Sequence, residues 1–324
     1  MSFAAFRYSR LVFLVIISLL LLWSLHLSNR NTSLLLLSSS VLDDTFPKPP
    51  TGNAWIWSEL SSSRKDAAMS HVKGYMDAFI QIIKMNHRKK WISHEICNIE
   101  LVGSKWGAHQ LCTELISQDD CSFISLGIAN DFSFDLDLAN RWNCHGFAAD
   151  PTVTHPSSLH RLVTFHNIAA KTMRMNNEDK KKDSPWWYAS VPSMKKFLNM
   201  SRIHVLKMDC EGCEYSLARD IIIEEPDFFH HVDQFTFEVH LNRNWLNDTE
   251  SFYYFALLFK LMNDAGLTAA GSKIAACGSN IEESGWIPEL KEINYPISKI
   301  RQPKYGRSCH EYLFARIPKQ GVPK

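Results

Sequence analysis

Ser122-Phe-Ile-Ser-Leu-Gly127-Ile-Ala-Asn130-Asp131-Phe-Ser-Phe-Asp135 reads as a buried strand, a tight turn with one glycine, and the start of a helix. About twenty residues further on, a spacing typical of such units, a second apolar run, Cys144-His-Gly-Phe-Ala-Ala149, stops at Asp150-Pro151. A strand–glycine–helix unit followed by an acid at the next strand end is a layout for gripping a nucleoside. Backbone N–H groups at the turn and helix start can face a polar ligand. The carboxylate can accept from both ribose hydroxyls.

Outward from this unit, the pattern alternates strand and helix. Strands are expected at 122–126, 144–149, 162–166, 203–208 and 234–239, and helices near 132–142, 192–200, 213–222 and 250–265. The strands are rich in Val, Ile, Leu and Phe without clean alternation, which indicates a mostly parallel sheet with helices on both faces. Stretches near 267–275 and 311–317 can close the sheet as an antiparallel C-terminal hairpin. The charged segment from Thr172 to Ser184 reads as a surface loop. Pro185-Trp-Trp-Tyr188 follows it and packs that loop onto the body or lines an acceptor pocket.

The chain has 324 residues, 45% hydrophobic, with a formal charge of +1. That is enough for one large α/β domain plus appendages, and the neutral balance gives no reason to expect a nucleic-acid partner. Arg7 and Arg10 precede an apolar run, and no formal charge appears before Arg30. Such a run can just cross a hydrocarbon core of ~30 Å at ~1.5 Å per residue, and its basic flank favours a cytosolic N-terminus. The reading is a cytosolic tail over 1–10, a signal-anchor helix over 11–27 and a stem over 28–62. A helical extension over 63–96 and the main domain over 97–324 follow. The extension opens at Ser63-Arg-Lys-Asp66 as a capping box and carries Met69, Val72, Met76, Phe79, Ile80 and Ile83 on one stripe. The expectation is a single-pass type II membrane protein of the secretory pathway (Golgi or ER lumen), with secretion after signal cleavage as the alternative. Sequons at Asn31, Asn199 and Asn247 agree with it. Eight cysteines in an oxidising compartment permit disulfides. A Cys112–Cys121 bridge is expected, with Cys144 a plain core thiol.

The first turn keeps only Gly127 of a Gly-x-Gly-x-x-Gly fingerprint. That argues against a diphosphate cofactor and fits one without phosphates. Asn130 and Asp131 can bind an amino-acid ammonium and carboxylate, or simply cap the helix. Asp150 is a ribose ligand or a turn former. Asn167, at the end of the third strand, can meet an adenine edge or satisfy the local backbone. The fourth strand ends in Lys207-Met-Asp209-Cys-Glu211-Gly-Cys-Glu214, where three acids crowd beside a helix start. Buried acids cost free energy unless paired or employed. Cys210 and Cys213 form a lone CxxC, too little for a zinc site, and no metal ligands are assigned. The fifth strand ends with Glu238 and His240, which alternation puts on one face. His240 is a candidate general base.

These residues resemble a known family. Phe123–Asp135, Ala149-Asp-Pro151 and Leu206-Lys-Met-Asp-Cys-Glu-Gly-Cys-Glu214 are similar to the methyltransferase-like protein 24 family, related to the wider FkbM-type methyltransferases. The similarity runs from about Cys97 to Ile317. It implies a class I Rossmann-like fold with a seven-stranded sheet and S-adenosyl-L-methionine as cofactor. It also implies that Gly127 marks the methionine-side turn, Asp150 the ribose acid and Asp209 the acid near the reacting methyl. Ser125 stands where the general pattern often has an acid. The resulting expectation is methyl transfer to an unknown O or N acceptor, with Asp209, Glu238 and His240 as catalytic residues. Gly127, Asn130, Asp131, Asp150, Asn167 and Asp209 would hold the cofactor. The alternatives are a lumenal glycosyltransferase using Asp135-Leu-Asp137, or a membrane-tethered binding module that has lost turnover.

Overall fold

The computed structural model describes residues 56–68, 91–92, 97–117, 120–170, 186–240, 249–274 and 309–317. All fall within the unit Thr51–Lys324. The anchor, nearly all of the stem, the Met69–Ile83 stripe, the 172–184 loop and the sequons at Asn31 and Asn247 lie outside the described residues. Among the described residues, no helix is long and apolar enough to cross a membrane. Residues 62–68 are helical, so that helix starts just before the expected capping box. Asn199 is exposed.

Five parallel strands carry the molecule: β4 (Ser122–Leu126), β5 (His145–Ala149), β7 (Val163–His166), β10 (Ile203–Met208) and β11 (Val232–His240). Their order is β11-β10-β4-β5-β7. The chain therefore builds outward from β4 in one direction, then returns to β4's other side with β10. A switch point results between β4 and β10. β12 (Leu267–Ile274) and β13 (Cys309–Arg316) form the expected antiparallel hairpin, with β13 inserted beside β11.

Among the described residues the sheet has nine strands, where seven were expected. The two additions are β1 (Trp91–Ile92) against β12 and β6 (Ser158–His160) against β7. Both sit at the ends of the sheet, where a short strand blunts an otherwise unpaired edge. Two or three residues leave no readable period. A separate hairpin, β2 (Ile99–Val102) with β3 (His109–Cys112), and a small pair, β8 (Ile168–Ala170) with β9 (Trp187–Ala189), were not expected. In that last pair Trp187 is 77% exposed rather than packed onto the body.

Strand alternation sorts the two faces. Phe235 and Phe237 point to one, where Phe237 meets Phe259 of α4 (Thr249–Asp264). α3 (Glu214–Glu224) packs beside α4, and α2 (Val191–Phe197), capped by the Ser190 side chain, packs beside α3. Gln234, Thr236, Glu238 and His240 point to the other face. The β2–β3 hairpin sits there, and α1 (Ser133–Trp142) packs against it and β5. Gln234 holds the hairpin down. Its side-chain carbonyl accepts from the Cys112 N–H at 2.8 Å, and its amide donates to the Cys112 carbonyl at 3.1 Å.

Register also decides the disulfides. Cys97 lies just before β2 and bonds Cys112 at the end of β3. Ser122 pairs with His145, which brings Cys121 and Cys144 side by side with Cα atoms 4.4 Å apart, and they are bonded. The expected Cys112–Cys121 bridge is thus not formed, and Cys144 is a half-cystine rather than a core thiol. Cys210 bonds Cys213, and Cys309 is also disulfide-bonded.

Candidate functional site

Gly127, Asp150 and Asp209 stand at neighbouring strand tips. Leu126 is in register with both Ala149 and Met208, so the next residue of each strand sits at one level. Backbone bonds tie the three: Gly127 N–H donates to the Ala149 carbonyl at 3.0 Å, and Asp209 N–H to the Leu126 carbonyl at 3.0 Å. Gly127 has φ +72°, and a Cβ there would lie 1.7 Å from the Asp209 carbonyl oxygen. The glycine is therefore demanded first by the close approach of β10.

Asp150 is buried and heavily used. Oδ2 accepts from the Ala129 N–H at 2.8 Å, and Oδ1 accepts from the N–H and hydroxyl of Thr152 at 2.7 and 2.6 Å. Ala129 has φ +45°, so this bond holds a bent loop in place. A carboxylate has about four acceptor positions; one on Oδ2 is left for a ligand. Asn167 donates from Nδ2 to the carbonyls of Asp150 (3.1 Å) and Val153 (2.6 Å), bracing the same turn. Asp131 accepts from the N–H groups of Ser133 and Gly107, both at 3.0 Å. Burial pushes its carboxyl up, but those bonds outweigh it and hold it below the usual range. Asn130 is exposed on the turn. Asp131, Asp150 and Asn167 therefore shape the cradle with bonds of their own.

The other side of the switch point is chemically different. Glu214, buried at the start of α3, accepts from the Gly212 N–H (2.9 Å) and the His240 N–H (2.9 Å), and its Oε1 lies 3.4 Å from His240 Nδ1. The turn before it needs positive φ at Glu211 (+49°) and Gly212 (+104°). The ring is thereby oriented with Nε2 toward Asp209 and Glu238, each 3.8 Å away. Burial pushes the imidazole pKa down, but the hydrogen bond to Glu214 and the charges of Glu214, Glu238 and Asp209 outweigh it and raise it to about 9. At neutral pH the ring thus carries its proton. In that form Nε2–H is a donor on the side facing Asp209 and Glu238. Glu238 is pushed up to about 8, by burial first and then by Asp209.

Three residues here escaped the sequence reading. Lys207 is buried, and its Nζ donates to the Gly127 carbonyl at 2.8 Å. Glu311 on β13 pairs with Glu238 in register and is pushed up to about 7 by burial, despite Lys273 at 2.7 Å. His109 on β3 lies 3.5 Å from Glu311, with its pKa driven down by burial. Lys207 lay inside a quoted motif; its period-two place on the site face was the available signal. Asp135 and Asp137 diverge. Asp135 is buried beneath the sheet, whereas Asp137 accepts from the Gly103 N–H and faces Arg141, so they do not converge on a metal.

No protein-family model matches the chain. It is 27% identical over 139 residues to a rat (Rattus norvegicus) protein described as "Probable methyltransferase-like protein 24", over 42% of this chain and 36% of that protein. The chain thus spans little more than a third of that relative's length, and the relative bears the name of the family that the motifs resemble. Among solved structures, a SAM-dependent methyltransferase from Archaeoglobus fulgidus overlays with TM-score 0.27 at 12% identity, covering 63% of this chain and 89% of that one. Coclaurine N-methyltransferase bound to N-methylheliamine and SAH gives TM-score 0.30 at 12% identity, covering 78% and 94%. Overlays this loose carry no weight; the fold rests on the strand order itself.

Proposed function

We propose that this chain is an S-adenosylmethionine-dependent methyltransferase acting on an oxygen or nitrogen acceptor in the secretory lumen or extracellular space. The observation that carries this reading is the switch point, where Gly127, Asp150 and Asp209 meet at the tips of three adjacent parallel strands. Open α/β sheets take ligands there. The curated relative, a protein described as a methyltransferase, supports the same reading. Disulfides at Cys97–Cys112 and Cys121–Cys144 support an oxidising compartment, and with it the type II anchor read over 11–27.

The residues fit this cofactor. Asp209 and Glu238 make no hydrogen bond through their carboxyls among the described residues, so they suit a cation. The free position on Asp150 Oδ2 suits one ribose hydroxyl. When bound, the cofactor supplies an electrophilic methyl group on a sulfonium. The chain contributes position and electrostatics. Lys207 fixes the Gly127 carbonyl, Asp209 and Glu238 face the positive centre, and Glu214 holds His240 so that Nε2–H can donate to the acceptor atom. A bound cation near Glu238 favours its ionised form, which can then take the acceptor's proton.

Calorimetry on the full-length protein in detergent tests the reading. Saturable binding of S-adenosylmethionine is expected, weakened tenfold or more, about 1.4 kcal/mol, by Asp150→Ala. Thr152→Val, which removes one hydroxyl bond to Asp150 and no acceptor, should bind nearly as wild type. The absence of both binding heat and a melting shift at millimolar cofactor would sink the proposal. Binding without methyl transfer to any extract would assign the chain to the binding modules instead.

A further inference from the structure

α2 ends in a turn that carries the one sequon among the described residues, Asn199-Met-Ser201. The turn is a Schellman cap. The Met200 N–H donates to the Lys195 carbonyl at 3.1 Å and the Asn199 N–H to the Lys196 carbonyl at 3.0 Å, with Asn199 in the left-handed region at φ +51°. Asn tolerates that conformation better than most residues, so the cap alone accounts for its identity. It does not account for what surrounds it. Asn199 and Ser201 are both exposed, and neither side chain has a hydrogen-bond partner among the described residues. The side-chain amide and the hydroxyl two residues on, the two groups a sequon needs, are thus both available.

Phe197 is a second, independent feature. Its ring is 78% exposed at the last residue of α2 and makes no ring contact among the described residues. A single exposed apolar side chain is ordinary. This one stands two residues before the acceptor asparagine, so at ~3.8 Å per step their Cα atoms lie within ~7.6 Å. A pyranose ring linked through the Asn199 amide therefore reaches the Phe197 ring. One face of such a sugar is made of C–H bonds, whose positive edges suit the negative face of an aromatic ring. An open groove lined by Asn199, Met200 and Ser201 runs beside the turn and leaves room for a bulky group.

We propose that Asn199 carries an N-linked glycan whose first sugar lies on the Phe197 ring. Attachment joins Nδ2 of Asn199 to the anomeric carbon of an oligosaccharide carried on a lipid diphosphate. The diphosphate leaves with the electron pair of the C–O bond, and the amide proton passes to a base of the membrane-bound transferase. The proposal rests on the lumenal placement given above, which the disulfides support, and not on methyl transfer. Topology keeps the glycan away from the strand tips. Asn199 precedes β10 and Asp209 follows it, and 6 residues of strand lie between. At ~3.3 Å per residue they hold the two ends about 20 Å apart. The glycan covers the exposed end of α2 and leaves the switch point open.

Full-length protein from cultured eukaryotic cells, with a sequon added after Lys324 to report the compartment, tests this. Trypsin releases Phe197–Arg202, and glycosidase treatment in heavy-oxygen water should convert Asn199 in that peptide to labelled Asp. Ser201→Ala removes the sequon and keeps Asn199 in its cap. It should leave the peptide unglycosylated and lower the melting midpoint by about 2–4 °C. Phe197→Ala should keep the glycan and lower the midpoint by a similar amount, yet shift it by less than ~1 °C when added to Ser201→Ala. Equal shifts from Phe197→Ala in both backgrounds would overturn the stacking, because a purely structural ring acts with or without the sugar. An unmodified Asn199 beside a glycosylated reporter overturns the proposal and leaves the lumenal placement standing. Both sites unmodified overturns the two together. Binding of S-adenosylmethionine should be the same in Ser201→Ala as in wild type, so the methyl-transfer reading is decided separately.

Discussion

Lys207 and Asp135 show how much a single side chain on the buried face can decide. Lys207 reaches the Gly127 carbonyl and pins the turn beside the switch point. Asp135 lies on the same face, on the first turn of α1, with its carboxyl buried. Burial raises its pKa from 3.8 to about 6, although Lys207 pulls it the other way. The stabilising form is therefore the protonated one. Its contribution is complete below the ordinary value of 3.8 and is lost as the pH rises through about 6. Asp135→Asn should erase this slope. Chemical denaturation at pH 4 and pH 7 should find the variant gaining about 2 kcal/mol on wild type between the two, at ~1.4 kcal/mol per pKa unit, since part of the contribution is already lost at pH 4; an unchanged difference would refute the buried-charge argument. The sequence could name Asp135, Asp150 and Asn167 as polar residues at telling places. It could not say that Asp150 and Asn167 spend most of their hydrogen bonds on their own loops, because those partners lie in turns without a repeating pattern.

The elements divide by length and period. β4 and β10 stand where their apolar runs put them, and the helices agree within a few residues, because burial on both sides of a parallel strand writes a long unmistakable run. The β2–β3 hairpin left no such mark. Its stretch Ile99-Glu-Leu-Val102 is short, and it is held in place by Gln234, 122 residues distant from its partner Cys112. Gln234→Leu should leave the Cys112 N–H and carbonyl buried without partners, a loss of about 2–4 kcal/mol. It should raise hydrogen exchange in β2 and β3 before the central strands. Uniform exchange across the sheet, or a loss under ~0.5 kcal/mol, would mean that the disulfide at Cys112 holds the hairpin alone. Gly127 belongs to this scale as well. Its place in a strand–turn–helix reading is plain, whereas its contact with the Asp209 carbonyl exists only once β10 lies beside β4.

For the whole molecule, disulfides and sheet order reinforce each other. Cys121 and Cys144 bridge the approaches to β4 and β5, closing 23 residues of chain. Loops of this size contribute about 3 kcal/mol on a chain-entropy estimate. Peptide mapping without reduction should return Cys97–Cys112 and Cys121–Cys144, and Cys121→Ser with Cys144→Ser should lower the midpoint of denaturation accordingly. A Cys112–Cys121 peptide would overturn the register drawn here. The sequence by itself determined the alternation of strand and helix, the apolar core runs, and the motif-bearing tips at Gly127, Asp150 and Asp209, because these depend on neighbours within a few residues. Only the tertiary structure decided the cysteine partners, the hairpin over the sheet and the Glu214–His240–Asp209–Glu238 constellation. Those depend on β13 and β10 lying on either side of β11, and on β10 lying against β4, pairings that join residues far apart in the chain and that no local period encodes.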